Sequence, residues 1–287
     1  MGTPQVGKLG LWSMELRFGD PVEVAEAAAE LEELGFGALW IPGGIDDQVL
    51  NSVDALLAAT RRITVATGIL NIWKHQPQDV AAWFKALPAD HQKRVLLGLG
   101  VSHGPLIGEA WKKPLTVMRE FLNGLDEAGM PSDNLCLAAL GPKMLELSRD
   151  RTSGAHPYLV NPDHTATARQ ILGRDPLLAP EQGVVLESDA AKARALAREA
   201  LTMYQNLPNY RNNWLRHGLT QDDVDSVSDR LVDDLFAWGD IERIAERVQA
   251  HYDAGADHVC VQVIRGASGG DMAGLRAACR KLAQAIG

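Results

Sequence analysis

Cysteine is scarce in this chain, and the few cysteines lie far apart. The 287 residues contain Cys136, Cys260 and Cys279, and none of them belongs to a Cys-x-x-Cys pair. This spacing excludes a disulfide framework and a thiolate zinc site. Any metal site would need other ligands, and we predict none.

Long apolar runs and positive charge are also in short supply. No uninterrupted apolar run reaches the roughly 18 residues of a membrane span, and the residues before Leu9 lack the apolar segment of a signal peptide. The 28 Lys and Arg stand against 37 Asp and Glu, which gives a net charge of −9. Nucleic-acid binding needs a basic field. We therefore expect a soluble cytoplasmic protein with neither a nucleic-acid nor a membrane partner.

Short apolar runs do alternate with longer amphipathic stretches along the chain. Several runs are almost continuously hydrophobic, which is typical of parallel strands buried on both faces. The stretches between them have a helical period, as over Pro21 to Leu34, where Asp20 is a suitable N-cap and Pro21 suits the first turn. The predicted strands cover 7–13, 37–41, 63–69, 94–101, 134–140, 154–160, 182–187 and 257–264.

A similar glycine turn recurs where predicted helices lead into strands, at Gly35, Gly154 and Gly255. Glycine adopts the left-handed conformation that ends a helix without steric cost. Eight βα units in a chain of this length predict the α/β class and a (β/α)8 TIM barrel, as one domain over 1–287. From Asp189 to about Ala254 we expect helices and no strand. This includes a helical insertion at about 190–240, between strands 7 and 8, that could be a cap or an oligomer surface.

The active site of a TIM barrel is built from the loops that follow the strands. Those loops hold few carboxylates here. The sequence has no His-Glu-x-x-His and no Gly-x-Ser-x-Gly, which argues against a metal hydrolase and a serine nucleophile. A poor supply of acids, bases and nucleophiles suggests that a bound cofactor carries the reaction.

Two segments could hold such a cofactor. At Leu140-Gly141-Pro142-Lys143 a strand ends and a helix begins, so free N–H groups and the helix dipole would favour a phosphate, and Lys143 adds charge. In strand 3, Gly68 interrupts an apolar run, as glycines do at bulges or where a ligand approaches the backbone. Each segment taken alone also fits an ordinary turn.

Three side chains at strand ends are candidates for chemistry or binding. His103 follows strand 4, and histidine gives or takes protons near neutral pH. It could equally be a histidine that only binds a loop carbonyl. Trp12 and Trp73 follow strands 1 and 3, so in a barrel we expect them to form walls of a substrate pocket.

Taken in order, these segments resemble the bacterial-luciferase-like flavin and deazaflavin oxidoreductases. Within that family the chain is most similar to the actinobacterial branch that uses coenzyme F420, a deazaflavin. The resemblance covers most of residues 7–187 and the last strand, and it is weak over about 190–240. The matching segments are 8–13, 34–42, 62–71, 95–103, 138–144, 154–160 and 162–165.

The resemblance implies positions for the cofactor. A non-prolyl cis peptide would fall at Gly68–Ile69 and support the deazaflavin ring, with the strand-4 loop beside it and the phosphate at the turn after strand 5. From their positions at strand ends, and not from the resemblance, we predict that His103 is catalytic and that Trp12 and Trp73 bind substrate. The implied cofactor-binding residues are Gly68, Ile69, Asn71, Gly100, Val101, Ser102, Leu140, Gly141 and Lys143.

The resemblance also implies an activity. An F420-dependent oxidoreductase would pass a hydride between the reduced deazaflavin and an electron-poor small molecule (an enone, ketone or imine), with the proton from His103 or water. The alternatives are an FMN-dependent monooxygenase and a barrel that binds the cofactor without turnover. A homodimer is common in such proteins.

Two features depart from, or qualify, the family pattern. The family's sugar-phosphate dehydrogenases carry an Asp-His pair where Pro42, Gly43 and Gly44 stand and a Glu where His103 stands, which argues against that substrate. The acidic tail of F420 would favour a basic rim, which could come from a cluster that equally fits a solvated surface. That cluster consists of Lys74, His75, Lys112 and Lys113.

Overall fold

Strands and helices alternate along the chain. The computed structural model describes residues 2–44, 46–108, 113–266 and 271–286. The strands are β1 (Leu9–Trp12), β2 (Ala38–Gly43), β3 (Thr64–Asn71), β4 (Val95–Gly100), β5 (Leu135–Leu137), β6 (Gly154–Ala155), β7 (Leu177–Leu178), β8 (Glu181–Val185), β9 (Phe236–Trp238) and β10 (Val259–Val263). The helices are α1 (Glu15–Phe18), α2 (Pro21–Glu33), α3 (Val49–Ala59), α4 (Pro77–Ala86), α5 (Ala89–Gln92), α6 (Gly104–Ile107), α7 (Pro114–Glu127), α8 (Pro142–Arg151), α9 (Pro162–Leu172), α10 (Ala190–Leu201), α11 (Pro208–Arg216), α12 (Gln221–Ser226), α13 (Asp229–Leu235), α14 (Ile241–Asp253) and α15 (Met272–Ile286).

The strands form one parallel sheet, in the order β7-β6-β5-β4-β3-β2-β1-β10-β8-β9. Only Ala179 and Pro180 separate β7 from β8. The Ala179 N–H donates to the Ala155 carbonyl at β6 (2.9 Å), and the Pro180 carbonyl accepts from the Cys260 N–H at β10 (2.9 Å). This one segment therefore fills the seventh position and closes the sheet between β6 and β10. The predicted α/β class and (β/α)8 barrel are confirmed.

The prediction of helices alone between Asp189 and Ala254 is wrong, because β9 lies there. It pairs in parallel with β8, with Phe236 opposite Gly183. Gly183 leaves room for the aromatic ring, since a Cβ at that position would lie 2.5 Å from Cδ1 of Phe236. Three residues are too few to show a two-residue period in the sequence. The helical insertion between β8 and β9 consists of α10 to α13.

Two predicted strands, 134–140 and 154–160, end earlier than their sequences indicate. In the structure β5 stops at Leu137 and β6 stops at Ala155. Pro157 has no N–H with which to continue a ladder, and Leu159 has a φ of 54° that turns the backbone. The residues after β6 therefore form a loop at the carboxyl end of the barrel, which we call the mouth.

Polar groups occupy part of the barrel interior. The Trp40 indole donates to His258 Nε2 (3.1 Å), and its ring stacks on His156 with the centroids 4.1 Å apart. Burial lowers the pKa of both histidines to about 4. Both are therefore neutral near pH 7 and hold the interior together.

The helical insertion packs on the mouth through a hydrophobic cluster of its own. Trp214 of α11 is buried in that cluster with Leu231 and Leu235 of α13. Its indole donates to the Leu159 carbonyl in the loop after β6 (3.2 Å). The insertion thus covers one side of the mouth. Among the described residues, none of the helices has the length and apolar character needed to span a membrane.

Candidate active site at the barrel mouth

The carboxyl end of β3 forms a bulge at the mouth. The peptide bond between Gly68 and Ile69 is cis, and the register with β4 shifts between Gly68 and Leu70. The Trp12 indole donates to the Gly68 carbonyl (2.8 Å) from across the lumen. The cis peptide implied by the family resemblance is therefore present at the predicted bond, and Trp12 stands next to it.

Glycines on both neighbouring strands make room for this bulge. A Cβ at Gly100 of β4 would lie 2.5 Å from Cγ1 of Ile69, and a Cβ at Gly43 of β2 would lie 2.8 Å from the Ile69 carbonyl oxygen. Real Cβ contacts are not that short. Gly43, one of the three residues at which the sequence departs from the sugar-phosphate dehydrogenases, thus has a packing role at the end of β2.

Asn71 and Trp73 organise the loop after the bulge. Asn71 is 1% exposed; its Oδ1 accepts from the Trp73 N–H (3.1 Å) and its Nδ2 donates to the Gly44 carbonyl (3.4 Å). The Trp73 indole donates to the Val101 carbonyl in the loop after β4 (2.6 Å). Both side chains contact backbone around the mouth. Their predicted roles towards cofactor and substrate stay predictions.

The loop after β4 carries His103 into the mouth. Ser102 has a φ of 56°, and the turn it makes brings the His103 ring to 5.5 Å from the Tyr210 ring of α11, measured between centroids. Burial lowers the pKa of His103, and a hydrogen bond with Asn209 offsets part of this effect. The imidazole is therefore neutral near pH 7 and is oriented by the insertion.

The turn after β5 leads into α8 and leaves open space beside Gly141, where the helix begins. Gly141 is the N-cap residue, and its carbonyl accepts from the N–H groups of Met144 and Leu145. A Cβ at Gly141 would have no heavy atom within 4 Å. The Leu140 carbonyl is bound by His164 Nε2 (3.0 Å), and Lys143 is exposed in the first turn. First-turn N–H groups without helical partners attract anions.

Three tyrosines that the sequence analysis did not single out as site residues gather at the mouth. Tyr158 follows β6, Tyr204 follows α10 and Tyr210 lies on α11, with ring centroids 5.2–6.4 Å apart. The Tyr158 hydroxyl donates to Oε1 of Gln262 on β10 (2.9 Å). The only signal in the sequence is that Tyr158 and Gln262 lie near strand ends.

Glu181 is a second group that the sequence did not reveal. Its neighbour Gln182 faces outward, where its Oε1 binds Nε2 of His251 (3.0 Å), so Glu181 faces the lumen. Its Oε2 accepts from the Leu159 N–H (3.1 Å), while Oε1 has no partner among the described residues. Burial raises the pKa to about 8, although the Leu159 bond opposes this shift. The carboxyl is thus neutral near pH 7.

In the described part of the expected basic rim, acidic side chains lie close to the basic ones. Lys74 is exposed, while burial lowers the pKa of His75, against the raising effect of Asp47 and Asp46. Lys113 is exposed, and Lys112 lies outside the described residues. In the described ranges no group of three or more His, Cys, Asp or Glu is arranged to hold a metal ion.

A cavity of about 510 Å³ lies at the opposite end of the barrel, lined by residues 3–8 with Ser153, Asp175, Leu177 and Asp257. TIM-barrel chemistry takes place at the carboxyl ends of the strands. The His103 imidazole and the bulge of β3 lie at those ends. We therefore take the mouth, and not this cavity, as the candidate active site.

Fold and mouth together define an α/β barrel whose candidate active site lies at the carboxyl ends of its strands. Residues 10–258 match the luciferase-like monooxygenase family, and the chain belongs to that family. Its members are oxidoreductases and monooxygenases.

Solved structures share this fold over almost the whole chain. An F420-dependent secondary alcohol dehydrogenase, in complex with an F420-acetone adduct, is 16% identical, with a TM-score of 0.72 and 100% of both chains covered. The F420-dependent tetrahydromethanopterin reductase from Methanopyrus kandleri is 15% identical (TM-score 0.67, 99% of both chains). The FMN-bound oxygenating constituent of 3,6-diketocamphane monooxygenase from Pseudomonas putida is 14% identical (TM-score 0.69, 98% of both chains). Identities this low establish the fold alone.

Proposed function

We propose that this chain is an F420-dependent oxidoreductase that transfers a hydride between the reduced deazaflavin and a small electron-poor molecule, an enone, ketone or imine. The observation that carries the proposal is that a backbone bulge and the open start of a helix lie at the same mouth. The bulge at Gly68–Ile69 is held by Trp12 on one side, and the open first turn of α8 begins at Gly141. A flat ring and a phosphate are the groups that these two features suit.

The residues present fit such a cofactor. Open space surrounds the position that a Cβ would take at Gly141, and Lys143 supplies a positive charge at the first turn of α8. When bound, the deazaflavin supplies or accepts the hydride. The chain's own part is to orient the reactants, exclude water and move a proton.

His103 is the proposed proton-transfer group. Its neutral imidazole retains an N–H that can pass a proton to the oxygen or nitrogen of the reduced substrate. Asn209 and Tyr210, both on α11, fix the ring through a hydrogen bond and a ring contact. The insertion thus orients the group that completes the reaction.

Two further features belong to the same proposal. The three cysteines are unpaired and buried, which suits a cytoplasmic location in which thiols stay reduced.

A homodimer is the expected assembly. Size-exclusion chromatography with light scattering tests this directly, and a monomeric mass would contradict it.

The decisive experiment titrates the purified protein with F420 and, in parallel, with FMN, by cofactor fluorescence. Micromolar affinity for F420 with much weaker FMN binding would support the proposal. Preference for FMN would instead favour a monooxygenase, a function that the FMN-bound relative with the same fold keeps open. Tight F420 binding without turnover on enones, ketones and imines would indicate a barrel that only holds the cofactor.

A further inference from the structure

The amide of Gln262 stands at the mouth with a hydrogen-bond donor to spare. Val261 and Val263, its neighbours on β10, pack in the outer hydrophobic layer, so Gln262 faces inward. Its Oε1 accepts from the Tyr158 hydroxyl. Within the described ranges its Nε2 makes no hydrogen bond, and this nitrogen is not completely buried. The N–H₂ group is therefore available to a ligand.

The Tyr158 phenol fixes the direction of this amide. A hydroxyl donor can bind only the oxygen of the amide, so the Tyr158 bond directs Nε2 away from the tyrosine. The Tyr158 ring itself packs against the Tyr204 ring, with the centroids 5.4 Å apart. Both tyrosine side chains are half-buried, so the chain Tyr204–Tyr158–Gln262 borders accessible space.

The amide also lies next to the proposed cofactor position. Gln262 pairs with Trp12 across the β1–β10 ladder, and the Trp12 indole binds the carbonyl of Gly68. The Trp12 and Tyr158 rings lie 5.8 Å apart, measured between centroids. A molecule placed against the bulge of β3 would therefore meet the Gln262 amide at its edge.

The groups around this position are uncharged near pH 7. Phenols, an indole and an amide make up the wall, and the two ionisable groups nearest to the tyrosines, Glu181 and His103, are both neutral because they are buried. The arginines at the mouth are already paired, Arg17 with Asp46 and Arg265 with Glu15. An anionic substrate would have to compete with these carboxylates for either arginine.

We propose that Gln262 donates a hydrogen bond from Nε2 to the carbonyl oxygen of an uncharged, flat substrate, and that Tyr158 and Tyr204 are positioning residues for that amide. This inference rests on the proposed function and names its substrate class. A site built around one donor discriminates strongly against a ligand that has no acceptor or that brings an unpaired charge.

The test compares ketones with carboxylates of the same size. The pairs are 1-acetylcyclohexene with 1-cyclohexenecarboxylate, benzylideneacetone with cinnamate, and 2-acetylnaphthalene with 2-naphthoate. Saturation-transfer NMR measures their binding to the cofactor-loaded and the cofactor-free protein. We expect at least one ketone to bind about 10-fold more tightly than its carboxylate. Equal binding within every pair, or no ketone binding at all, would overturn the inference.

Variants connect this binding to the amide. Gln262→Leu and Tyr158→Phe should each weaken ketone binding about 5–10-fold, whereas Tyr252→Phe serves as the control, because its hydroxyl binds the Lys8 carbonyl away from the mouth. Gln262→Glu should lose ketone binding at high pH and regain it as the introduced carboxyl protonates and becomes a donor. A merely structural role would not produce that pH dependence.

A cofactor titration on the same samples separates the two proposals. If ketones bind in a Gln262-dependent way but neither F420 nor FMN binds, the proposed oxidoreductase fails and the carbonyl site stands. If the cofactor binds but ketone affinity is the same in all variants, the carbonyl site fails. If Gln262→Leu weakens cofactor binding and leaves ketone binding intact, the amide contacts the cofactor and the inference is wrong.

Discussion

The Trp12 indole donates a 2.8 Å hydrogen bond to the carbonyl oxygen of Gly68, and this bond joins β1 to the end of β3 across the lumen. The two strands are not neighbours, because β2 lies between them. A Cβ at Gly68 would lie only 2.5 Å from the indole nitrogen. The tryptophan therefore sets the position of the backbone against which we place the cofactor ring.

Trp12→Phe tests this relationship. The variant keeps an aromatic ring but leaves the Gly68 carbonyl without its donor, which should lower the free energy of unfolding by about 1–2 kcal/mol. We also expect cofactor affinity to fall severalfold, since the carbonyl end of β3 is no longer held. Urea denaturation and the fluorescence titration measure the two effects.

Trp83→Phe is the matched control for this prediction. The Trp83 indole also makes a hydrogen bond, to Asp54 (3.1 Å), but on helices outside the barrel. It should lower stability with no effect on cofactor affinity. If Trp12→Phe and Trp83→Phe bind cofactor equally well, Trp12 has no part in the site.

The sequence was sufficient for most of the barrel because its parallel strands are buried on both faces. The runs at β1, β2 and β4 are almost continuously apolar, and the structure has strands there. Where one proline or a single turned residue ends a ladder, as at Pro157 and Leu159, an apolar run gives no warning. Such a run still predicts a strand for residues whose backbone no longer pairs in the sheet.

The site was less predictable than the fold because its contacts join distant parts of the chain. Tyr158 and Gln262 are 104 residues apart, and no local pattern links them. The two-residue period does place Gln262 on the inward face of its strand with Cys260, but the donor that orients its amide becomes visible only in three dimensions. The position of the cis bond, in contrast, followed from family resemblance.

Glu181 should make stability depend on pH. The folded state keeps its proton up to about pH 8, whereas the unfolded chain releases it near the ordinary value of 4.5. Between these values the folded state binds more protons, so the free energy of unfolding falls as pH rises, by at most about 1.4 kcal/mol per pH unit. Above about pH 8 this contribution is constant.

Glu181→Gln removes this slope, because the amide oxygen can still accept from Leu159 but does not ionise. We expect the variant to gain stability relative to wild type as pH increases from 5 to 8, measured by urea denaturation at each pH. A cost of leaving the amide N–H₂ of the new glutamine unpaired would lower the free energy of unfolding by the same amount at every pH. Glu127→Gln, at an exposed position, is the control. A difference between Glu181→Gln and wild type that does not vary with pH would refute the prediction.

His103→Ala should affect turnover more than cofactor binding. Loss of a positioned proton-transfer group lowers kcat by about 100-fold, while the cofactor should bind almost as before. His103→Gln retains an N–H donor and should recover part of the activity. Steady-state kinetics on the best substrate of the panel, beside the fluorescence titration, provides the measurement. An alanine variant with wild-type kcat would leave water as the proton source.

Gly141 offers the sharpest test of where the cofactor phosphate lies. Open space surrounds the position of a Cβ there, and φ at Gly141 is −95°, which any residue can adopt. Gly141→Ala should therefore fold and bind cofactor as the wild type does.

Gly141→Asp adds a negative charge at the start of α8, which favours the helix itself but repels a phosphate. We expect at least 10-fold weaker F420 binding with unchanged or slightly higher thermal stability. Because stability and affinity are predicted to move in opposite directions, a folding defect cannot imitate this result. Equal F420 affinity in the Ala and Asp variants would remove the turn from the site.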